Sequence, residues 1–298
     1  GVVVNTCLPK TAWPPTYACG GIFQEGLTLW PVVSFKTETG SETEMEMIKK
    51  RIFLAGDSTV QTFPASRDPQ NGWGQRLYEN FRGHVGCRCF PPKDSRFAQS
   101  MCYEFADIIV DNRAMAGRSS RSFREEGRLA EMEACMREGD WLFVQFGHND
   151  ANPKPERFVR PEDFGASLAF YADVCRKRKA VCVLVTPIAM RDSARDGSCA
   201  FPEYREAMIG FAAKEGLPLL DLGLATARYC HKTGPEACKE LFLWVEPGAY
   251  PESELRDGVC DDAHLQTEGA RAFARLLSGL IRESGDDRLA EIRSLLEL

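Results

Sequence analysis

The chain has 298 residues, of which 44% are hydrophobic and 27% charged, with a formal net charge of −6. That profile suits a globular protein with a sizeable core and argues against a whole-chain electrostatic grip on nucleic acid or an anionic membrane. No apolar run approaches the ~20 residues that a membrane-spanning helix requires.

Residues 1–47 differ from the remainder: they hold four prolines before residue 32, a Gly20-Gly21 pair and an acidic run over 38–46. They read as an N-terminal extension, either short edge strands packed on the main domain or the remnant of a small β module, with the main domain at 48–298. From there strands and helices alternate. The run 52–55, apolar and halted by Gly56, predicts a buried strand, and 75–81 predicts a helix. Residues 82–105, with glycine, proline and three cysteines, read as an irregular insertion. DIIVD at 107–111 predicts the second strand, 122–138 a helix ending at Gly139, and WLFVQF at 141–146 the third strand. A helix over 161–178 opens on Pro161, the fourth strand (181–186) stops at Pro187, a helix covers 202–215, and LPLLD at 217–221 is the fifth strand. Helices are predicted over 222–231, 235–242 and 267–283, with a further helical pattern over 286–298. Five apolar strands separated by helices predict an α/β fold: a five-stranded parallel sheet inside a three-layer α/β/α sandwich.

The twelve cysteines are scattered through a chain too long to need disulfide staples. Cys87-x-Cys89 is the only close pair, and no second pair at zinc-site spacing answers it. The expectation is mostly free thiols, no metal, and a reducing, cytoplasmic setting, with an extracellular one left open.

Four strand ends or loops collect polar residues and glycines: Gly56-Asp57-Ser58-Thr59, the segment 112–120 with Gly117, Gly147-His148-Asn149-Asp150, and Asp261-Asp262-Ala263-His264. Ligands in open α/β sheets bind beyond such strand ends. The chemistry of the clusters is complementary. A serine hydroxyl needs a base to take its proton, an imidazole is suited to that, and a carboxylate fixes the imidazole tautomer. Asp261 and His264 are three apart, close enough for one turn to hold both. The Ser58 N–H, the Gly117 N–H and the Asn149 amide are candidate oxyanion donors. Gly-Asp-Ser alone also spells an ordinary turn.

Taken in order, GDSTV (56–60), GWGQ (72–75), AGRSSRSF (116–123), EGR (126–128), QFGHND (145–150), VLVTP (183–187), LFLWVEPGAYP (241–251) and DDAH (261–264) resemble the SGNH (GDSL-type) hydrolases, and within them the rhamnogalacturonan acetylesterase group. The resemblance implies a flavodoxin-like sandwich and no cofactor. It implies Ser58 as nucleophile, His264 as base and acid, Asp261 as its carboxylate, and Ser58, Gly117 and Asn149 as the oxyanion hole. It also implies an acetylated oligosaccharide or polysaccharide as substrate, such as pectic rhamnogalacturonan. The extension 1–47 and the insertion 82–105 depart from the family pattern, and Asp262 beside Asp261 leaves a second acid as a fallback partner for the imidazole. A general acylhydrolase of the same fold and a non-catalytic carbohydrate-binding protein are the competing readings. The polar, arginine-bearing loop 113–124 disfavours the first, and the intact Ser58, Asp261 and His264 disfavour the second.

Other residues have plainer readings. His148 is expected to hydrogen-bond under its loop, Asp57 to fix a turn and Asp150 to brace its loop. His84 and His231 are expected at the surface. Arg121, Arg124 and Arg128 are expected mainly to face water, with pairing of a substrate carboxylate as their lesser reading. Arg118, next to Gly117, either does the same or pairs a galacturonate carboxylate. Trp73 either stacks on a sugar ring or packs against the sheet.

Overall fold

The computed structural model describes residues 49–297. The extension predicted over 1–47 lies outside the described residues. In chain order the strands are β1 (Lys50–Gly56), β2 (Gln70–Asn71), β3 (Arg88–Phe90), β4 (Met101–Phe105), β5 (Ile108–Asn112), β6 (Trp141–Gln145), β7 (Val181–Val185), β8 (Leu219–Leu220), β9 (Phe242–Val245) and β10 (Val259–Gln266). Seven of them form the main sheet in the order β3-β4-β5-β1-β6-β7-β8. The five predicted strands are its parallel part, β5-β1-β6-β7-β8. β3 and β4 add an antiparallel edge, so the segment read as an irregular insertion in fact extends the sheet.

Side chains alternate across the sheet as strand geometry requires. Ile52, Leu54, Phe143 and Val183 face one core, shared with Ala227, Phe273 and Leu277 from the helices Leu222–Thr233 and Thr267–Glu283. Phe53, Ala55, Leu142 and Leu184 face the other, shared with Phe123, Met132, Leu168 and Met208 from the helices Ser120–Glu125, Arg128–Cys135, Pro161–Arg178 and Pro202–Glu215. These are the three layers. The helix Thr267–Glu283 buries Ala270, Phe273, Ala274, Leu277 and Ile281, the spacing of one apolar face. No helix among the described residues is long and apolar enough to cross a membrane.

Several local expectations change, and the helix expected over 75–81 is a short α-helical turn, Trp73–Arg76, followed by a 3-10 turn, Leu77–Asn80. The single helix expected over 122–138 is two, because Gly127 takes a left-handed φ of 82° between them. The helix expected over 235–242 is one short 3-10 turn, Ala237–Glu240, running into β9. The Asp261–His264 cluster lies not in a turn but within β10, which joins β2 and β9 in a second, antiparallel sheet.

β1 organises the site. Its neighbours β5 and β6 lie on opposite sides, so the chain's winding reverses at β1 and leaves a crevice beyond its C-terminal end. Ser58 stands two residues past that end.

Candidate active site

The turn after β1 is fixed by Asp57. Its carboxylate accepts from the Thr59 N–H (2.9 Å) and hydroxyl (2.8 Å), and its carbonyl accepts from the N–H groups of Val60 and Gln61. Below it, Gln145 of β6 donates to the Thr59 hydroxyl (2.6 Å) and accepts from the Trp73 indole N–H (2.8 Å). Trp73 is 1% exposed. Its ring is therefore a floor for the Ser58 turn and not a platform for a sugar. The GWGQ motif has a steric cause: a Cβ on Gly72 would lie 2.4 Å from the Val60 carbonyl carbon, and one on Gly74 2.5 Å from the Val60 oxygen. Only glycines let this segment press against the turn.

Ser58 is 8% exposed and emerges from this turn. Its Oγ is 2.9 Å from His264 Nε2, and His264 Nδ1 is 2.7 Å from Asp261 Oδ2. The other Asp261 oxygen accepts from the backbone N–H groups of Ala263 (2.8 Å) and His264 (2.9 Å). Burial acts to raise the Asp261 carboxyl, but the hydrogen bond and charge of the imidazole, with these two backbone donors, outweigh it and hold the group well below the usual carboxylate range. β10 supplies the geometry. Its register with β9 is interrupted between Cys260 and Leu265, and that irregularity carries both side chains, while Leu265 and Gln266 pair with β2 just downstream of the serine turn. Asp262 does not face the imidazole. It accepts from Arg191 Nε (2.5 Å) and the Trp244 indole N–H (2.8 Å), so Asp261 is the acid that meets the ring.

Two further loops close on the crevice. Past β5 the backbone continues alongside β1, with Met115 N–H bonded to the Gly56 carbonyl and Ala116 N–H to the Gln61 side chain (2.5 Å). Gly117 follows with φ 78°, a conformation that disfavours any side chain. Past β6 comes Asn149, also 8% exposed. Among the described residues, the N–H groups of Ser58 and Gly117 have no acceptor, and Asn149 Nδ2 has no partner. Three donors thus stand uncommitted at the end of β1.

Asp150 is fully buried and braces this region. One oxygen accepts from the Ser120 N–H (3.0 Å) and hydroxyl (2.5 Å), the other from the Gly147 N–H (3.1 Å). Burial, opposed by the Ser120 hydrogen bonds, pushes its pKa up to about 7. A folded value raised above the unfolded one gives stability that is complete at acid pH and is lost as pH rises through about 7. Asp150→Ala orphans the buried donors and is expected to cost about 3 kcal/mol in urea unfolding at pH ~5, with a narrower gap at pH ~8. Equal gaps at the two pH values would contradict the assignment.

The expected hydrogen bonding of His148 under its loop is not found: its side chain, 9% exposed, makes no hydrogen bond among the described residues. Its ring lies edge-on to Phe201 (4.8 Å between centroids), and Nδ1 is 3.9 Å from Asp57 Oδ2, too far to bond. Arg118 is not free for a substrate carboxylate: it donates to Glu126 (2.8 Å) and to the Ala116 carbonyl (2.9 Å). Arg128 pairs with Glu126 (2.6 Å), Arg124 lies over the Phe170 ring, and Arg121 donates to the Pro155 carbonyl. Two contributors have no sequence mark: Gln61, which ties the Gly117 loop to the serine turn, and Arg157, which donates to Asn149 Oδ1 (3.1 Å).

A family model described as GDSL-like lipase/acylhydrolase matches residues 52–277. The chain is 34% identical over 244 residues to the rhamnogalacturonan acetylesterase RhgT of Bacillus subtilis, covering 80% of this chain and 93% of that protein. It is 35% identical over 238 residues to the probable rhamnogalacturonan acetylesterase YesY of the same organism, covering 78% and 93%. Among solved structures, protein YxiM of Bacillus subtilis superposes with a TM-score of 0.63 at 23% identity, covering 85% of this chain and 65% of that one.

Proposed function

The chain belongs to the GDSL-like lipase/acylhydrolase family and is a carboxylic ester hydrolase, and from that premise we propose that it removes acetyl groups from rhamnogalacturonan fragments with Ser58 as nucleophile. The observation that carries the mechanism is the continuous chain Ser58 Oγ–His264 Nε2 (2.9 Å) and His264 Nδ1–Asp261 Oδ2 (2.7 Å). His264 takes the hydroxyl proton as Oγ attacks the acetyl carbonyl, and Asp261 stabilises the imidazolium that forms. The carbonyl oxygen becomes an oxyanion held by the N–H groups of Ser58 and Gly117 and by Asn149 Nδ2, the three uncommitted donors at the end of β1. As the intermediate collapses, His264 gives the proton to the departing sugar oxygen, which leaves as the free hydroxyl. His264 then activates a water that attacks the acetyl-Ser58 ester, releasing acetate and restoring the serine.

The alcohol part of the substrate rests on relatives that carry the rhamnogalacturonan acetylesterase name, the two Bacillus subtilis proteins above among them, because a fold and a triad specify ester chemistry more closely than the group esterified. The test is a screen of acetate release across acetylated rhamnogalacturonan fragments, acetylated xylan and long-chain aryl esters. The expected result is the highest kcat/KM on the rhamnogalacturonan fragments. Turnover of xylan acetate or long-chain esters with none of rhamnogalacturonan would overturn the substrate assignment.

A further inference from the structure

We propose that Arg157 is a positioning residue for the hydrolysis: it sets the orientation of the Asn149 amide so that the amide nitrogen, not the oxygen, meets the developing oxyanion. The proposal rests on the Ser58 esterase reading above and deepens it.

A guanidinium has five N–H donors and no acceptor, and it stays protonated. An asparagine amide, by contrast, offers oxygen on one side and NH2 on the other, and the two ends are nearly the same shape. Arg157 Nη1 lies 3.1 Å from the Asn149 side chain. Whichever amide atom faces it must be an acceptor, so the oxygen is held there and Nδ2 is turned away, with no other partner among the described residues. A flipped Asn149 would set its NH2 against the guanidinium and present an oxygen to the substrate's negative charge. Both contacts would then be repulsive.

Arg157 is itself held in place. Its backbone N–H bonds to the Lys154 carbonyl at 2.9 Å, and the neighbouring Val159 N–H bonds to the Asp150 carbonyl at 3.1 Å. The Tyr204 hydroxyl, from the helix Pro202–Glu215, donates to the Val159 carbonyl at 2.7 Å. The side chain is 28% exposed, and among the described residues its one ion-pair partner, Glu156, stands 4.0 Å from Nε. Arg118, by contrast, is tied to Glu126 at 2.8 Å. Nη2 reaches past Asn149 to within 3.6 Å of where a Gly117 Cβ would stand, so one guanidinium spans both loops that carry candidate oxyanion donors. That contact is ordinary van der Waals distance, so the left-handed φ, and not crowding by Arg157, is what selects glycine at 117.

The experiment uses the whole chain and a neutral substrate, para-nitrophenyl acetate, so that no carboxylate on the substrate contributes. Arg157→Met is expected to lower kcat about tenfold with KM within about twofold, a part of the hundredfold or more that losing an oxyanion donor outright costs. Arg157→Lys keeps a donor and lacks an acceptor, and it is expected to recover most of the loss. In an Asn149→Ala background, Arg157→Met is expected to cost less than about twofold, because its only route of action is gone. Thermal melting of each variant checks that the fold is intact. The same tenfold loss with and without Asn149, a loss confined to KM, or no loss at all would overturn the proposal. Ser58→Ala run in parallel separates the two levels: full activity in that variant sinks the esterase mechanism itself, whereas an inactive Ser58→Ala with equal Arg157→Met losses in both backgrounds sinks only the role of Arg157.

Discussion

Ser58→Ala is expected to lower acetate release from any acetyl ester by about ten-thousandfold or more while leaving the fold intact. The size follows from the role proposed for the hydroxyl. The donors at the end of β1 and the His264–Asp261 pair remain in the variant, but no side-chain oxygen is left at 2.9 Å from His264 Nε2 to attack the carbonyl. Water activated by His264 is the only substitute, and it pays no part of its positioning through a covalent tether, so the acyl-enzyme route is lost as a unit. Stability is expected to change little. Among the described residues the one hydrogen bond of the Ser58 hydroxyl is to partly exposed His264, and the turn is held by Asp57, Thr59 and Gln145. The measurement is single-turnover and steady-state release of acetate, with far-UV circular dichroism as the control for folding. A folded variant that turns over para-nitrophenyl acetate within a factor of about ten of the wild type would rule out Ser58 as the nucleophile.

What was legible in the chain, and what was not, follows from how far each feature depends on partners distant in sequence. The parallel strands were readable because strands buried on both faces are continuous apolar runs, and here each stops at glycine, proline or a polar cluster. β3 and β4 were not, because RCF and MCYEF lie toward an edge and mix charged residues with cysteine. They are strands by virtue of the ladders that join β3 to β4 and β4 to β5. β10 was hidden for a related reason: VCDDAHLQ has poor β composition in its middle, and only β9 and β2 make it extended. The helix break at Gly127 was masked because a single glycine inside a helical pattern is commonly tolerated, at a cost of about 1 kcal/mol.

The same distinction separates the site residues. The residue types at 58, 117, 149, 261 and 264 carry their chemistry in the sequence. The choice between Asp261 and Asp262 does not, since it turns on Arg191 and Trp244 occupying Asp262. Trp73 could not be placed without Gln145 beneath it. Arg157 could not be singled out among the arginines until the fold brought it to Asn149.

Asp261→Asn is expected to lower kcat by about three to four orders of magnitude with little change in KM, and the reason is a tautomer. In the wild type the two backbone N–H groups of Ala263 and His264 point at Asp261 Oδ1, so Oδ2 is left to accept from His264 Nδ1. That requires the ring proton on Nδ1 and leaves Nε2 bare to take the proton of Ser58. An asparagine in the same place must still turn its oxygen toward the two backbone donors, since reversing it would set NH2 against both. Its NH2 then faces His264 Nδ1 and forces that atom to be the acceptor. The proton moves to Nε2, which becomes a donor toward Ser58 and cannot act as a base. Geometry is preserved and function is lost, which distinguishes this variant from Asp261→Ala, where the ring is freed to choose either tautomer. Asp261→Asn is therefore expected to be no more active than Asp261→Ala, although it is the smaller change. The carboxylate also has a signature in stability. Its folded pKa lies below the unfolded one, so it contributes stability that is present above the unfolded carboxylate range and is lost only as pH falls through the folded value. The asparagine variant should lack that acid-limb loss while keeping the wild-type far-UV spectrum. Steady-state kinetics on para-nitrophenyl acetate for the two variants side by side is the deciding measurement. An asparagine variant with kcat near the wild type would mean that Asp261 serves only to shape the irregularity in β10 and does not orient the base.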